Sequence, residues 1–472
     1  MKASLLLVLL LAGCTVGPDF VRPKAPAAGH YNYGGDPSGA QSQHFEKGAA
    51  PVGDWWKMFH SGKLDEIVRD GVARNLTLQA AQASLRVSLD NLQAGYGIFY
   101  PQVNASLSPA RQKFSPARFG SSAPDTIFNL VTLSASVSYA LDIFGGEHRA
   151  VENLQSQVEF QHDIVLGTYL ALTSNIVNTA IAAAAYRDEI RVTEQLVSLQ
   201  KEQIAISEKQ VRAGITSYAA VLALQSALAA YEATLAPLRQ KLAQSEHLLA
   251  TLSGHAPSEW LPPEISVNEL SLPSSLPLSL PSDLVHQRPD ILASEAQLHG
   301  ASAAIGVATA ALYPSFTLNG SYGQNNTSMN GLLGSRSNFW SLGANIAAPI
   351  FNGGTLSAER RAAVDAYRQS LLNYRQTVLS ALSQVADILR ALEHDAQTVE
   401  AESRSAAAAT EALRLAGISY RAGTVNYLQV LISDIQYRQA AIGLLEARAQ
   451  RLQDTTALFA ALGGGWQKAR TD

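Results

Sequence analysis

Few side chains in this 472-residue sequence have a type and spacing that could perform chemistry. The ten histidines are scattered, and no HExxH motif or paired-ligand spacing brings two of them together. Cys14 is the only cysteine, which excludes a thiolate metal site. No GxxxxGK loop followed by Ser or Thr is present to bind ATP. The sequence therefore predicts a protein that is not an enzyme and holds no metal or other cofactor.

The one reactive side chain, Cys14, follows a segment typical of export signals. Lys2 supplies a positive charge, Leu5–Leu11 form a short apolar run, and small residues precede the cysteine. This pattern resembles a bacterial lipoprotein signal, whose cysteine is thioether-linked to diacylglycerol before cleavage. We therefore expect residues 1–13 to be a signal peptide and Cys14 to be lipidated, although an ordinary secretory signal is the alternative. Thr15, rather than an aspartate, resembles lipoproteins sorted to the outer membrane.

Charge and hydropathy limit the partners of the chain. Charged residues make up only 16% of it, and 35 Lys and Arg against 39 Asp and Glu give a net charge of −4. Without a basic excess, we expect no nucleic-acid partner. No uninterrupted apolar run reaches the roughly 18 residues of a membrane-spanning helix. A membrane role would therefore require a β-barrel.

Four landmarks occur twice along the chain, about 209 residues apart. They are Tyr-Pro at 100 and 313, a Phe-Gly-Gly-like turn at 144 and 351, Arg-Ala-Gly at 212 and 421, and a Leu-Ser-Gly or Leu-Gly-Gly end at 252 and 462. A recurring order of this kind predicts a duplicated structural unit. The predicted segments are a signal peptide at 1–13, a lipid-anchored tether at 14–52, a first repeat at 53–252, a Pro-rich linker at 253–287, a second repeat at 288–462 and a tail at 463–472.

Each repeat contains two segments in which apolar and small polar residues alternate, which is typical of β-strands. They lie at 102–108, 131–143, 315–322 and 340–347, within strand hairpins at about 100–143 and 313–350. Their polar faces are largely uncharged, and aromatic residues lie near their ends. These details favour transmembrane strands over a soluble sandwich, which could show the same alternation. Pro109 is assigned to the loop between the first two strands.

Each strand hairpin is followed by an unusually long helical hairpin, predicted at 147–252 and 354–462. Apolar residues recur every seven positions from Val364 to Tyr420 without an intervening proline. Such a heptad stripe predicts a left-handed coiled-coil seam, and a helix of about 65 residues spans on the order of 100 Å. Residues 253–289, which comprise the linker and the start of the second repeat, contain seven prolines, a density that no regular helix tolerates.

Four strands cannot close a barrel, and open sheet edges are not tolerated in lipid. Because the smallest natural barrels have about eight strands, at least two chains must share one barrel. A trimer would give twelve strands and twelve long helices, although a dimer with eight strands is also possible. The predicted fold class is an α+β membrane protein, whose shared barrel of four strands per chain continues into a long α-helical barrel.

Several motifs follow one another in a recognisable order. They are Cys14-Thr15-Val16-Gly17-Pro18-Asp19-Phe20, Asp54-Trp55-Trp56, Arg288-Pro289-Asp290-Ile291, Tyr313-Pro314 and Leu462-Gly463-Gly464-Gly465-Trp466. In this order the chain resembles the TolC/NodT type of outer-membrane efflux channels, in particular their lipoprotein branch. The resemblance implies a homotrimer anchored in outer-membrane lipid, with its helical body in the periplasm. It also implies a periplasmic adaptor (membrane fusion) protein and a proton-driven inner-membrane transporter of the resistance-nodulation-division (RND) type as partners.

The resemblance further implies that the tips of the two helical hairpins meet the adaptor. These tips are Arg212, Ala213, Gly214, Ile215, Thr216 and Ser217 in the first repeat, and Arg421, Ala422, Gly423, Thr424, Val425 and Asn426 in the second. Glycine permits a tight reversal and leaves small side chains free to dock, although turn formation alone would also explain these residues.

A closed channel of this family needs links between neighbouring helices near the tips. Family members often carry an aspartate shortly after each tip, but Ala220 and either Gln429 or Ile432 stand at the matching places here. The nearest gate candidates are Tyr420, Arg421, Asp434 and Arg438, with a solvated helix face as the alternative. Arg288, Pro289 and Asp290 are interpreted as a structural helix start, because proline suits the first helical position and aspartate the first turn.

We therefore interpret the chain as a passive outer-membrane duct for drugs or other small molecules, driven by a separate transporter. One alternative keeps the fold and changes the cargo to polypeptides, as in type I secretion with an ATP-driven transporter. Another is a structural coiled-coil lipoprotein without a pore, against which the alternating strands argue.

Overall fold

The protein is described by a computed structural model, which covers residues 15–37, 39–40, 43–120, 122–464 and 466. Within these residues the strands are β1 (Gly39–Ala40), β2 (Gln43–Lys47), β3 (Gln102–Phe114), β4 (Thr126–Leu141), β5 (Ser275–Leu278), β6 (Ser315–Asn326) and β7 (Asn338–Ala347). The α-helices are α1 (Gly62–Arg74), α2 (Leu76–Gly95), α3 (Gly146–Arg212), α4 (Tyr218–Leu252), α5 (Pro281–Leu284), α6 (Pro289–Ala310), α7 (Thr355–Arg421) and α8 (Tyr427–Ala461). Short 3-10 turns connect several of them.

The long helices repeat in length and position. Helices α3 and α7 each have 67 residues, and α4 and α8 each have 35. Corresponding helices begin 209 residues apart, at 146 and 355 and again at 218 and 427. The two halves of the sequence therefore form matching helical hairpins.

Contacts divide the chain into two units, which are described separately. The strand unit takes in residues up to Pro23, Ser84–His162 and Ala293–Arg375. The helical unit takes in Lys24–Ala83, Asp163–Leu292 and the residues from Gln376 onward. Helices α2, α3, α6 and α7 contribute residues to both units.

The strand unit contains an antiparallel sheet in the order β3-β4-β6-β7. The two strands of the first half pair with the two of the second through β4 and β6, with Leu141 opposite Phe316. Strands β3 and β7 form the two edges of this sheet. Apolar side chains on it are widely exposed, including Val103, Trp340 and Leu342 at 69%, 75% and 81%. A single copy of the chain therefore leaves both the edges and the apolar surface of its sheet uncovered.

The first strand is longer than its alternation predicts. Strand β3 continues through Pro109, opposite Val131, to Phe114. Proline cannot donate a backbone hydrogen bond and is therefore found on edge strands, which is where β3 lies. The assignment of Pro109 to a loop was wrong because it treated proline as a strand breaker without regard to the edge.

Buried apolar contacts stabilise the helical unit. They join its helices to one another and to the segment that contains Trp55. Ile190 of α3 meets Leu235 and Leu238 of α4 in one apolar cluster. Trp55 stacks on Phe459 of α8, with ring centroids 5.3 Å apart. The two motif tryptophans are buried, as packing residues are expected to be.

The tether and the linker meet in a small sheet of the helical unit. Strand β2 of the tether pairs in parallel with β5 of the linker, with Phe45 opposite Leu276. The linker also contains the four-residue helix α5, which begins at Pro281. The sequence analysis expected no regular helix here, and this single turn forms because a proline at the first position of a helix has no hydrogen bond to lose.

Two of the described helices, α3 and α4, are long and apolar enough to cross a membrane by length and composition. The sequence analysis counted uninterrupted apolar runs, whereas this test averages hydropathy over a window of a helix, so the two statements do not conflict. Small polar residues interrupt the alanine-rich stretches of these helices, but they hardly lower the mean hydropathy of the segment. Core helices of soluble proteins pass the same test, so the observation alone assigns no membrane span.

Candidate functional site: the helix-hairpin tips and gate residues

The first hairpin tip is closed by backbone hydrogen bonds at the end of α3. The N–H of Gly214 donates to the carbonyl of Val211 at 3.0 Å, and the N–H of Ile215 donates to Gln210 at 2.8 Å. This pair of bonds is a Schellman motif, which requires a left-handed residue at its turn. Gly214 supplies it with φ of +69°. A side chain at this position would strain the reversal.

The second tip has the same closure at the end of α7. Gly423 has φ of +74°, and its N–H donates to Tyr420 at 3.0 Å. The N–H and the hydroxyl of Thr424 both donate to the carbonyl of Ser419, at 3.0 and 2.9 Å. The duplicated Arg-Ala-Gly sequence thus produces one backbone geometry twice.

The tips differ in how the returning helix begins. The side chain of Asn426 accepts a hydrogen bond from the N–H of Gln429 at 3.1 Å and caps α8. Ser217 stands at the equivalent position of α4 without a side-chain cap. Because an N-cap bond stabilises a helix start by about 1 kcal/mol, the second tip is the more firmly fixed.

Most of the twelve predicted tip residues are exposed. Those exposed are Arg212, Ala213, Gly214, Ile215 and Ser217 at the first tip and Arg421, Ala422, Gly423, Thr424 and Asn426 at the second, whereas Thr216 and Val425 are half-buried. Ile215 is 73% exposed and the neighbouring Tyr218 is 59% exposed. The first tip therefore presents apolar surface that could be covered by another protein.

Two of the predicted gate residues, Asp434 and Arg438, lie together on α8. Arg438 Nε is 3.0 Å from Asp434 Oδ1, without the alignment of a hydrogen bond, so the contact is an ion pair. A guanidinium nitrogen of Arg438 also donates to the side-chain oxygen of Gln195 on α3. Both charged side chains are largely buried. Together they connect α8 to α3 within one chain.

The other two gate candidates lie at the second tip. The rings of Tyr420 and Tyr427 are 5.3 Å apart, across the turn between α7 and α8. A hydrogen bond to the Glu202 carboxylate raises the pKa of Tyr427, because the carboxylate stabilises the protonated phenol. Arg421 donates to the carbonyl of Gly417 in its own helix at 3.3 Å. Tyr427 is within electrostatic range of both Tyr420 and Asp434, and it therefore lies between this tip and the Asp434–Arg438 pair.

The sequence analysis did not select Gln195, Glu202 or Tyr427 as neighbours of these candidates. Tyr427 follows Tyr420 by seven residues, so an extension of the heptad stripe across the turn could have found it. Gln195 and Glu202 belong to the first repeat, and no local pattern links them to α8.

Arg288 lies at the start of α6, where it is nearly buried and makes several hydrogen bonds. Its guanidinium donates to both carboxylate oxygens of Asp290, at 3.0 and 2.7 Å. It also donates to the side chain of Gln384 on α7 and to the backbone carbonyl of Ala461 at the end of α8, each at 2.9 Å. Helix α6 begins at Pro289, with Asp290 in its first turn. The motif therefore joins the start of α6 to α7 and α8.

An acidic pair between α7 and α8 has no counterpart among the predicted site residues. Burial raises the pKa of Asp395 to about 7, and the carboxyl of Asp454 beside it adds to this effect. Oδ2 of Asp395 is buried without a hydrogen bond from any donor group, so a proton shared with Asp454 would satisfy it. Arg451 lies next to this pair and donates to the side chain of Gln43 at 2.8 Å.

Cys14, the predicted lipidation site, lies outside the described residues. Thr15 and the residues that follow it, up to Pro23, belong to the strand unit. Within this unit Arg149 donates to Asp19 at 2.7 Å. Among the described residues no group of three or more His, Cys, Asp or Glu side chains could hold a metal ion.

Comparisons with known proteins show which family the chain resembles in sequence and in fold. The family model described as "Outer membrane efflux protein" matches residues 68–255 and 280–464. The chain is 30% identical over 428 residues to the pyoverdine export outer membrane protein OpmQ of Pseudomonas aeruginosa, covering 89% of each protein. It is 28% identical over 471 residues to Nodulation protein T of Rhizobium leguminosarum bv. viciae, covering 98% of this chain and 93% of that relative. The solved outer-membrane channel OprN matches with a TM-score of 0.84 and 26% identity, over 96% of this chain and 100% of OprN.

The two matched segments each contain one long helical hairpin, α3 with α4 and α7 with α8. They confirm the resemblance to outer-membrane efflux channels, the α+β channel fold with two repeats, and the efflux function. The location in the outer membrane and the dependence on other pump components follow from the same relatives. The chain belongs to the outer membrane efflux protein family.

Proposed function

We propose that the protein is a lipid-anchored homotrimer that forms the exit duct of a tripartite pump and passes drugs or other small molecules passively to the exterior. The observation that carries this proposal is the four-stranded sheet, which has two open edges and an uncovered apolar surface. Such edges must pair before a sheet can enter lipid. Three copies would join β7 of one chain to β3 of the next and close twelve strands.

The anchor and the energy source complete this proposal. The thiol of Cys14 would carry diacylglycerol and hold the chain to the outer membrane, with the helical body in the periplasm. Because we expect no catalytic group and no cofactor, transport would draw on an RND-type inner-membrane transporter through a periplasmic adaptor. The relative from Pseudomonas aeruginosa is a pyoverdine export protein, and this supports a small-molecule cargo.

Crosslinking tests the adaptor at the second hairpin tip. With Cys14 lipidated, a Thr424→Cys variant carries one free thiol, to which a photo-crosslinker can be attached in the periplasm. We expect this variant to capture an adaptor that is paired with a proton-driven transporter, because Thr424 is exposed at the tip. Captured proteins are identified by mass spectrometry.

Thr398→Cys is the matched control, because Thr398 is an exposed threonine in the middle of α7. Equal capture of the adaptor at both positions would contradict tip docking. A secretion-type adaptor captured at Thr424 would move the cargo to polypeptides. In a deletion strain, sensitivity to toxic small molecules should rise while the set of secreted proteins stays unchanged.

The Asp434–Arg438 pair is proposed as part of the closed gate, because it joins α8 to α3 near the tips. We expect Arg438→Ala to raise the single-channel conductance in planar bilayers severalfold, because the link to Gln195 is lost. Arg404→Ala is the matched control, since Arg404 forms an exposed pair with Glu400 on the surface of α7. Unchanged conductance in the Arg438 variant would remove the pair from the gate.

A further inference from the structure

The apolar face of strand β3 ends in two basic side chains, at the end of the sheet where the β3–β4 and β6–β7 loops lie. We call this the loop end. Because alternate residues of a strand point to the same side of a sheet, Arg111 and Lys113 share a face with Val103 and Leu107. All four side chains are exposed. One face of β3 is therefore apolar near the helices and cationic at the loop end.

The same face changes from apolar to polar on β6 and β7. Tyr322 and Trp340 lie directly opposite each other, and the pairing through Ala135 places them on the apolar face. The next pair on this face toward the loop end is Gln324 with Asn338. Aromatic residues are typical of the level at which a membrane strand leaves the hydrocarbon core. The change to polar side chains thus indicates where the membrane surface meets the sheet.

The opposite face of the sheet is polar along the strands. The hydroxyls of Ser106 and Ser134 are 3.1 Å apart, and those of Ser321 and Ser341 are 2.7 Å apart, so each pair is hydrogen-bonded. In a closed barrel a polar face lines the interior and an apolar face contacts lipid. The two basic side chains of β3 are therefore on the side of the lipid and not on the side of the duct.

Distances along β3 place these basic side chains at the membrane surface. At a rise of about 3.4 Å per residue, Arg111 lies about 27 Å and Lys113 about 34 Å along the strand from Val103. A strand tilt of about 40° reduces these distances to heights of about 21 and 26 Å, against an apolar band about 25 Å tall. The long side chains extend their charges further toward the headgroups.

The loop end carries an excess of positive charge. The stretches 109–130 and 324–338 contain four basic residues and one acidic residue. These are Arg111, Lys113, Arg118, Arg336 and Asp125. The whole chain has a net charge of −4, so this excess is local. At the end of β4 near the helices the sign is reversed, with Asp142 and Glu147.

The guanidinium of Arg111 is available to an anion. Among the described residues it donates to the side-chain oxygen of Asn129 at 3.3 Å, and this partner is an uncharged amide. Lys113 by contrast pairs with Asp125 at 2.6 Å. A guanidinium can bind a phosphate group through two parallel hydrogen bonds. Arg111 therefore has the stronger capacity for an anionic ligand.

We infer that Arg111 and Lys113 bind the phosphate groups of lipids in the outer leaflet of the outer membrane. The inference rests on the proposed trimeric duct, with its helical body in the periplasm and the loop end at the exterior. A lipid with apolar acyl chains and a phosphorylated headgroup complements both the apolar residues of β3 and the cations above them. A soluble anion would match the cations alone.

Native mass spectrometry of the full-length protein in detergent tests this inference, with lipid A that carries two phosphates as the probe. We expect trimers with bound lipid A. Arg111→Gln should weaken this binding about tenfold, because a charge-assisted contact is lost. Lys113→Gln should weaken it less, because Asp125 already pairs with this lysine. Arg86→Gln is the matched control and should leave the binding unchanged, since Arg86 is an exposed arginine of α2 in the same unit.

The remaining outcomes separate the lipid site from the duct on which it rests. Lipid A without phosphates should bind at least about tenfold more weakly. Equal binding of the two forms, or equal losses in the Arg111 and Arg86 variants, would overturn the lipid site while the trimer stands. Complete displacement of lipid A by sodium phosphate would assign the site to free phosphate instead. A chain that is monomeric in the same spectra would overturn the trimeric duct and the lipid site together.

Discussion

Replacing Arg288 by leucine is expected to lower the free energy of unfolding by about 3 kcal/mol, because it removes several charge-assisted hydrogen bonds at once. The carbonyl of Ala461 and the side chain of Gln384 would lose their partner at a nearly buried site. The loss of its partner would cost less free energy at Asp290, because half of this side chain is exposed to water. Thermal unfolding of the detergent-extracted protein, followed by its helical circular dichroism, measures the change.

Two further variants show whether hydrogen bonding is the cause. Arg288→Lys keeps the charge but cannot form the planar fork, so its loss should be intermediate. Arg404→Leu removes an arginine from an exposed pair on α7 and should change stability by less than about 1 kcal/mol. Equal losses for leucine at 288 and at 404 would contradict the proposed role of Arg288 in joining three helices.

Patterns that repeat within a helix or a strand were sufficient to predict the long helices and the four strands of the larger sheet, but not the small sheet of β1, β2 and β5. The alternation at 131–143 and the heptads from 364 to 420 each depend on which face of a single strand or helix is buried. Both patterns can therefore be recognised without knowledge of the remaining fold. The end of β3 was missed because whether Pro109 can stay in a strand depends on its position in the sheet. That position is a property of the complete topology.

Only those parts of the candidate site that depend on residues close together in the sequence could be predicted. Gly214 and Gly423 are required by the backbone of their own turns, and the repeated Arg-Ala-Gly motif therefore located both tips. The hydrogen bond between Arg438 and Gln195 joins residues 243 positions apart, and no residue spacing within α8 predicts it. The same holds for Arg149 and Asp19, which meet only because the N-terminal segment crosses the start of α3.

A pH-dependent stability is expected from the half-buried acidic pair between α7 and α8. The pKa of Asp395 rises from 3.8 to about 7 through burial and the neighbouring Asp454. Between pH 4 and 7 the folded protein therefore holds a proton that the unfolded chain has released. Stability falls as pH rises through this window, because the folded state binds more protons than the unfolded state. Above about pH 7 this contribution stays constant.

Asp395→Asn should remove this slope, because an amide has no proton to lose and can donate to Asp454. At pH 8 the variant should be more stable than the original chain by on the order of 2 kcal/mol, a value reduced for partial solvent exposure. At pH 4 the two proteins should unfold at nearly the same temperature. Thermal unfolding measured across this pH range tests both statements. Asp365→Asn, at an exposed ion pair on α7, should leave the pH profile unchanged.

The direction of the change at pH 8 distinguishes two roles of Asp395. Arg451 lies beside the pair, and its positive charge opposes the rise in the pKa of Asp395. If Asp395 is chiefly the ionised partner of Arg451, the asparagine variant will be less stable at pH 8, because a buried guanidinium loses its counter-charge. If the two carboxyls share a proton, the variant will be more stable, because the like charges no longer have to approach. Burial and the neighbouring Asp454 together outweigh Arg451 in setting the pKa of Asp395, and we therefore expect stabilisation.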